Sequence, residues 1–176
     1  MVTIIFEAHS TSLDNEAELS SGWNDVDLSE AGLRQSSELG TRYKDRLPDA
    51  VFCSDLQRSY KTAAIAFKDR LVPIFIDSRL RECGYGKLTQ APKSEVEAKK
   101  AEHISKPFPD GESYEQTSRR VAKFLEDLRV SYQNKTVVII GHRATQYGFE
   151  EHLLGKKLED IISEPWKWQP GWVYSA

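Results

Sequence analysis

The chain has 176 residues, 39% hydrophobic and 29% charged, with a net charge of −3. That length predicts one domain, residues 1–176, with a real core, and the composition excludes a disordered chain. The mildly acidic balance excludes non-specific nucleic-acid binding as the main activity, so anion chemistry must come from a local cluster of cations.

Cys53 and Cys83 stand outside any C-x-x-C pattern, which predicts two reduced core residues rather than a zinc or redox site. No apolar run approaches the roughly 18 residues of a membrane helix. The N-terminus has no basic region followed by a secretory core. These features predict a cytoplasmic protein without a membrane partner.

Val2-Thr3-Ile4-Ile5-Phe6 reads as a buried strand that opens, through Glu7 and Ala8, into a loop starting at His9. Residues 13–27 form a polar segment with turn chemistry. Ser29 is a plausible N-cap for a helix carrying Ala31, Leu33, Ser36, Leu39 and Tyr43, which stops before Pro48. Ala50-Val51-Phe52-Cys53 is a second strand. Ser54-Asp55 then offers a cap to a helix over 56–67, and residues 72–76 form a third strand.

Residues 80–88 read as a loop holding Arg81, Glu82 and Cys83, and 93–103 as a charged, solvated helix in which His103 is an ordinary exposed or helix-face residue. Ser113 can cap a helix over 114–133 with Val121, Phe124, Leu125 and Leu128 on one face. Thr136-Val137-Val138-Ile139-Ile140 is apolar throughout, as a central parallel strand should be, and runs into Gly141-His142. A helix over 146–154 ends near Gly155. The tail, with Trp166, Trp168 and Trp172, predicts an edge strand with core packing, the alternative being an aromatic wall over a crevice or a dimer contact.

Strands alternating with helices predict an α/β fold, a three-layer α/β/α sandwich around a mostly parallel sheet. In such a sheet ligands bind outside the carboxyl ends of the strands. His9, His142, Arg58 and Glu82 all lie at or just past predicted strand ends, so they can share one crevice. Their chemistry is coherent. A neutral histidine can attack phosphorus, a guanidinium matches phosphate oxygens with two parallel donors, and a glutamate can protonate a leaving oxygen and then activate water.

These residues carry a family resemblance. Ala8-His9-Ser10-Thr11-Ser12 with Asn15, Leu28-Ser29-Glu30-Ala31-Gly32 with Gln35, and Ser54-Asp55-Leu56-Gln57-Arg58 occur in order. Leu80-Arg81-Glu82-Cys83-Gly84, Pro109-Asp110-Gly111-Glu112-Ser113 and Val138-Ile139-Ile140-Gly141-His142 follow. The ordered set resembles the histidine phosphatase superfamily, also called phosphoglycerate-mutase-like, over nearly the whole chain. The resemblance implies His9 as phosphoryl acceptor, Arg58 and His142 as phosphate-pocket groups, Glu82 as proton donor and Asn15 as a nearby polar contact. It implies no metal and no cofactor.

Two positions depart from the family's usual motif. Ala8 stands where that motif has an arginine, and Ser10 where it has glycine. Arg143, directly after His142, is the candidate replacement for the missing guanidinium. Ser10, Ser12 and Arg81 complete the substrate-binding candidates. The expected activity is a phosphomonoesterase acting on a phosphorylated small molecule or phosphoprotein, as a monomer or homodimer. A catalytically weak or inactive phosphate-binding module is the alternative, and a phosphoglycerate mutase fits less well, because the stretch between Glu82 and Gly111 is short. A zinc hydrolase using His9 and His142 lacks a companion ligand motif.

Overall fold

The computed structural model describes residues 1–176. Five strands form one sheet: β1 (Thr3–Ala8), β2 (Ala50–Cys53), β3 (Ile74–Ile76), β4 (Thr136–Gly141) and β5 (Trp172–Ser175), in the spatial order β3-β2-β4-β1-β5. The first four run parallel, and β5 lies antiparallel against β1 as an edge. Seven α-helices accompany them: α1 (Leu13–Glu16), α2 (Glu30–Arg42), α3 (Gln57–Ala66), α4 (Lys93–Lys99), α5 (Tyr114–Ser131), α6 (Arg143–Leu154) and α7 (Leu158–Ser163). None of the helices is long and apolar enough to cross a membrane.

Alternation along the strands builds the layers. Ile4, Phe6, Val137 and Ile139 face α5 and α6 and pack with Val121, Phe124, Leu125 and Phe149. Val51, Cys53, Val138 and Ile140 face α2 and α3 and pack with Leu39, Ala63, Ala66 and Phe67. β4 is therefore covered on both faces, which is why it reads as an unbroken apolar run. Both cysteines are free and buried.

The caps match expectation in places and not in others. Ser29 and Ser113 accept amides at the starts of α2 and α5, the latter in a capping box with Gln116. Gly155, in a left-handed conformation at φ +66°, ends α6. Ser54 and Asp55 do not cap α3. Leu56 holds the cap position without a side-chain bond, because Asp55 pairs with Arg81 and the Ser54 hydroxyl lies against His142.

The buried face of α2 consists of Gly32, Ser36, Leu39 and Gly40, while Leu33 is exposed. Small residues are required there. A Cβ at Gly32 would lie 2.0 Å from the Thr11 carbonyl, so α2 rests directly on the loop that follows His9. The short helices α1 and α7 fall where no helix was expected, and α6 begins three residues before its expected start. The predicted 93–103 helix ends at Lys99 and tightens into a 3₁₀ turn. Its face is not wholly solvated, since Val96, Lys100 and His103 are buried and His103 stacks on Phe108 at 3.9 Å.

Candidate active site

β1 and β4 are neighbours in register, with Ala8 opposite Gly141. The next residue on each strand is a histidine, and the His9 amide donates to the Gly141 carbonyl at 3.0 Å. The two imidazoles therefore meet, with ring centroids 4.9 Å apart. His9 Nδ1 lies 2.8 Å from the Ser10 carbonyl and donates to it. That bond leaves Nε2 as the lone-pair nitrogen.

Arg58 enters from the first turn of α3 and is 1% exposed. Its guanidinium donates to the Gly22 carbonyl at 2.8 Å and the Asn24 carbonyl at 3.0 Å. One turn on, Thr62 ties α3 to the nucleophile loop, accepting the Ser10 amide at 3.0 Å while donating to the Arg58 carbonyl. The Glu82 Oε1 accepts amides from Cys83 at 2.7 Å and Ala144 at 3.2 Å. Its backbone carbonyl is pinned by the Trp23 indole and the Arg120 guanidinium. The carboxylate is thus rigid on one oxygen, and Oε2 has no hydrogen-bond partner in the protein.

Electrostatics keep both rings neutral. Burial, then the Arg58 charge, holds His9 down to about 3, against the opposing pull of the Ser10 carbonyl. Burial, then Arg58 and His9, holds His142 well below its ordinary value. A neutral imidazole beside a cation is the form that can attack an electrophile.

One cleft of about 690 Å³ is lined by His9, Ser10, Asn15, Arg58, Glu82, His142 and Arg143 together. Two of the expected substrate contacts lie outside this lining. Ser12 is fully buried, its hydroxyl capping α1 through the Asn15 amide. Arg81 forks onto Asp55 through Nε and Nη2 and lies over Trp23 at 4.9 Å. Asn15 reaches the cleft, but its Oδ1 is taken by the Ser12 amide. Arg143 reaches it with Nη1 on Glu97 Oε1 at 2.9 Å and a buried Nε that has no partner.

Other groups in the lining were not anticipated from the sequence: Glu97, Lys93, Tyr85 and the carbonyl-rich turn at Gly22. Trp166 and Trp168 line the cleft too, so the aromatic-wall reading of the tail holds for them. Trp166 is held there by a 3.0 Å bond from its indole N–H to the buried Gln146. No three His, Cys, Asp or Glu side chains are grouped in a way that could hold a metal ion.

A sheet of this order with paired histidines at two adjacent strand ends defines a class, and the comparisons agree with it. The chain belongs to the histidine phosphatase superfamily (branch 1), whose pattern matches residues 4–169. It is 30% identical over 171 residues to phosphoserine phosphatase 1 of Hydrogenobacter thermophilus, covering 93% of this chain and 81% of that protein. It is 41% identical over 104 residues to the 2,3-bisphosphoglycerate-dependent phosphoglycerate mutase of Streptococcus mutans, a match spanning 56% of this chain and 45% of the mutase. Among solved structures, the alpha-ribazole phosphatase of Shigella flexneri superposes with a TM-score of 0.77 at 26% identity, covering 90% of this chain and 83% of that one. A mycobacterial glucosyl-3-phosphoglycerate phosphatase superposes at 0.82 and 22% identity, covering 92% and 86%.

Proposed function

We propose that this protein is a metal-independent phosphomonoesterase that works through a phosphohistidine at His9. The observation carrying this reading is the His9 ring itself. Nδ1 is fixed on the Ser10 carbonyl, Nε2 is the free lone pair, and the ring shares one cleft with Arg58, His142 and Glu82.

In the first half-reaction Nε2 attacks phosphorus. An N–P bond forms, the P–O bond to the leaving group breaks, and Glu82 gives its proton to the departing oxygen. Arg58 and His142 stabilise the equatorial oxygens as negative charge shifts onto them. In the second half-reaction the Glu82 carboxylate takes a proton from water. The hydroxide attacks phosphorus, the N–P bond breaks, and phosphate leaves with His9 neutral again.

Arg143 supplies the second guanidinium that Ala8 does not, leaving Glu97 when a dianion enters. The substrate is a phosphorylated small molecule or phosphoprotein. The compartment in which it works is the cytosol.

The test is a burst assay with an aryl phosphate in the presence of a chelator, comparing wild type with His9→Ala. An acid-labile phosphoenzyme and turnover in wild type alone are expected. A second reading, a phosphate-binding module with little turnover, is favoured by Ala8 together with the Arg143–Glu97 ion pair. It predicts saturable phosphate binding without a phosphoenzyme.

A further inference from the structure

Ser54 is the residue at which β2 leaves the sheet, and it is fully buried. Its Oγ lies 2.7 Å from His142 Nε2. The same oxygen accepts the Leu56 amide at 3.4 Å. The Ser54 amide is held by the Ser59 hydroxyl at 3.0 Å, and that hydroxyl donates in turn to the Ile140 carbonyl at 2.7 Å. The one acceptor that the Ser54 hydroxyl hydrogen meets is therefore His142 Nε2.

We propose that Ser54 is a positioning residue that fixes the tautomer of His142: by donating to Nε2, it leaves the proton on Nδ1, and Nδ1–H is the donor offered to a phosphoryl oxygen. This inference rests on the phosphoryl-transfer reading above. His142 Nδ1 is a buried atom without a hydrogen-bond partner. A buried, unpartnered N–H is a costly group whose cost a ligand oxygen removes. The ring stands 4.9 Å from His9, so an anion at the nucleophile lies beside it.

The opposite tautomer fails on both sides of the ring. With Nε2–H donating to Ser54, the serine hydrogen would have no acceptor, and Nδ1 would turn a lone pair toward an anion. Burial and the neighbouring Arg58 hold the ring neutral, so one nitrogen must be an acceptor, and the serine selects which.

The experiment reads the tautomer directly. Long-range ¹H–¹⁵N spectra of the full chain at pH 7 report each ring nitrogen, with the four histidines assigned by single substitutions. Wild type is expected to show a protonated Nδ1 and a bare Nε2 at His142, with the Nδ1 signal shifting on addition of inorganic phosphate. Ser54→Ala is expected to mix or invert the tautomers and to lower kcat on an aryl phosphate by about 10²-fold, the size of losing one oriented donor. Ser54→Thr, which keeps the hydroxyl, is expected to retain the wild-type tautomer.

A wild type with Nε2–H, or a Ser54→Ala protein with unchanged tautomer and unchanged kcat, overturns the proposal. If Ser54→Ala does not fold, the wild-type spectrum and its phosphate response decide. Since the tautomer is read on the resting protein, a wild type with Nδ1–H but no phosphoenzyme supports the serine assignment and overturns the phosphatase reading, so the two failures are distinguishable.

Discussion

His9 and His142 follow register partners on adjacent parallel strands, and their rings lie 4.9 Å apart in a cleft that the buried Arg58 guanidinium also lines. Each ring's environment disfavours its proton, and Arg58 acts on both.

The pH dependence follows from that pairing. An unfolded chain protonates both rings near pH 6.5, whereas in the fold His9 is held down to about 3 and His142 well below its ordinary value. The stability contributed by these neutral rings is fully present above 6.5. It is lost progressively as pH falls from 6.5 toward 3, because the unfolded chain binds the extra protons. The slope is at most about 1.4 kcal/mol per pH unit for each ring, and less for the partly exposed His9. Urea midpoints between pH 7 and 4.5 measure it. The acid limb of kcat is expected below pH 6, where a free imidazole would already be protonated; a midpoint at 6.5 or above sinks this account.

Arg58→Ala is expected to lower kcat/KM on an aryl phosphate by about 10³-fold. Arg58→Lys is not expected to rescue it, since an ammonium cannot present two parallel donors or span the Gly22 and Asn24 carbonyls. Steady-state kinetics alongside circular dichroism separate lost chemistry from lost fold. Rescue by lysine would show that the site needs a charge there and not a fork.

Glu97 joins two cations, with Oε1 on Arg143 and Oε2 on Lys100 at 2.8 Å. Arg143→Ala is expected to raise the inhibition constant for inorganic phosphate by about 10-fold, the scale of one charge-assisted contact. Glu97→Gln is expected to lower that constant by freeing Arg143. It should also cost about 1–3 kcal/mol of stability, because the buried Lys100 keeps only the Tyr147 hydroxyl at 3.1 Å. If phosphate affinity is the same in wild type and Arg143→Ala, Arg143 does not replace the guanidinium absent at Ala8.

Gly32→Ala places a Cβ where the Thr11 carbonyl stands. The helix must move off the loop that carries His9, at a cost of about 1–3 kcal/mol. A lowered urea midpoint together with a fall in kcat is expected. A variant as stable as wild type would show that α2 slides without penalty.

Much of this was legible in the chain because it is local. A strand that ends in histidine, a serine three residues before a helix amide, and an apolar run buried on both sides all have signatures spanning under ten residues. Ser54 stood within a recognised motif, yet its partner is 88 residues away, and no periodicity connects them. Sequence separation also hides the pairing of Arg143 with Glu97, which is 46 residues off. Arg81 reads as available in the sequence because its acceptor, Asp55, reads there as a helix cap. Lys100 and His103 looked solvated because charge dominates their segment, whereas burial there is set by Phe108 and Tyr147 from other parts of the chain.

Ala8 has a consequence for the chemistry of whatever binds. The end of β1 brings only a methyl group to the cleft, whose lining also includes Arg42, Trp166, Trp168, Ser20, Ser21 and Lys93. The cleft that holds His9 and Arg58 also offers two indole rings, so a ligand that fills it meets aromatic surface as well as cations.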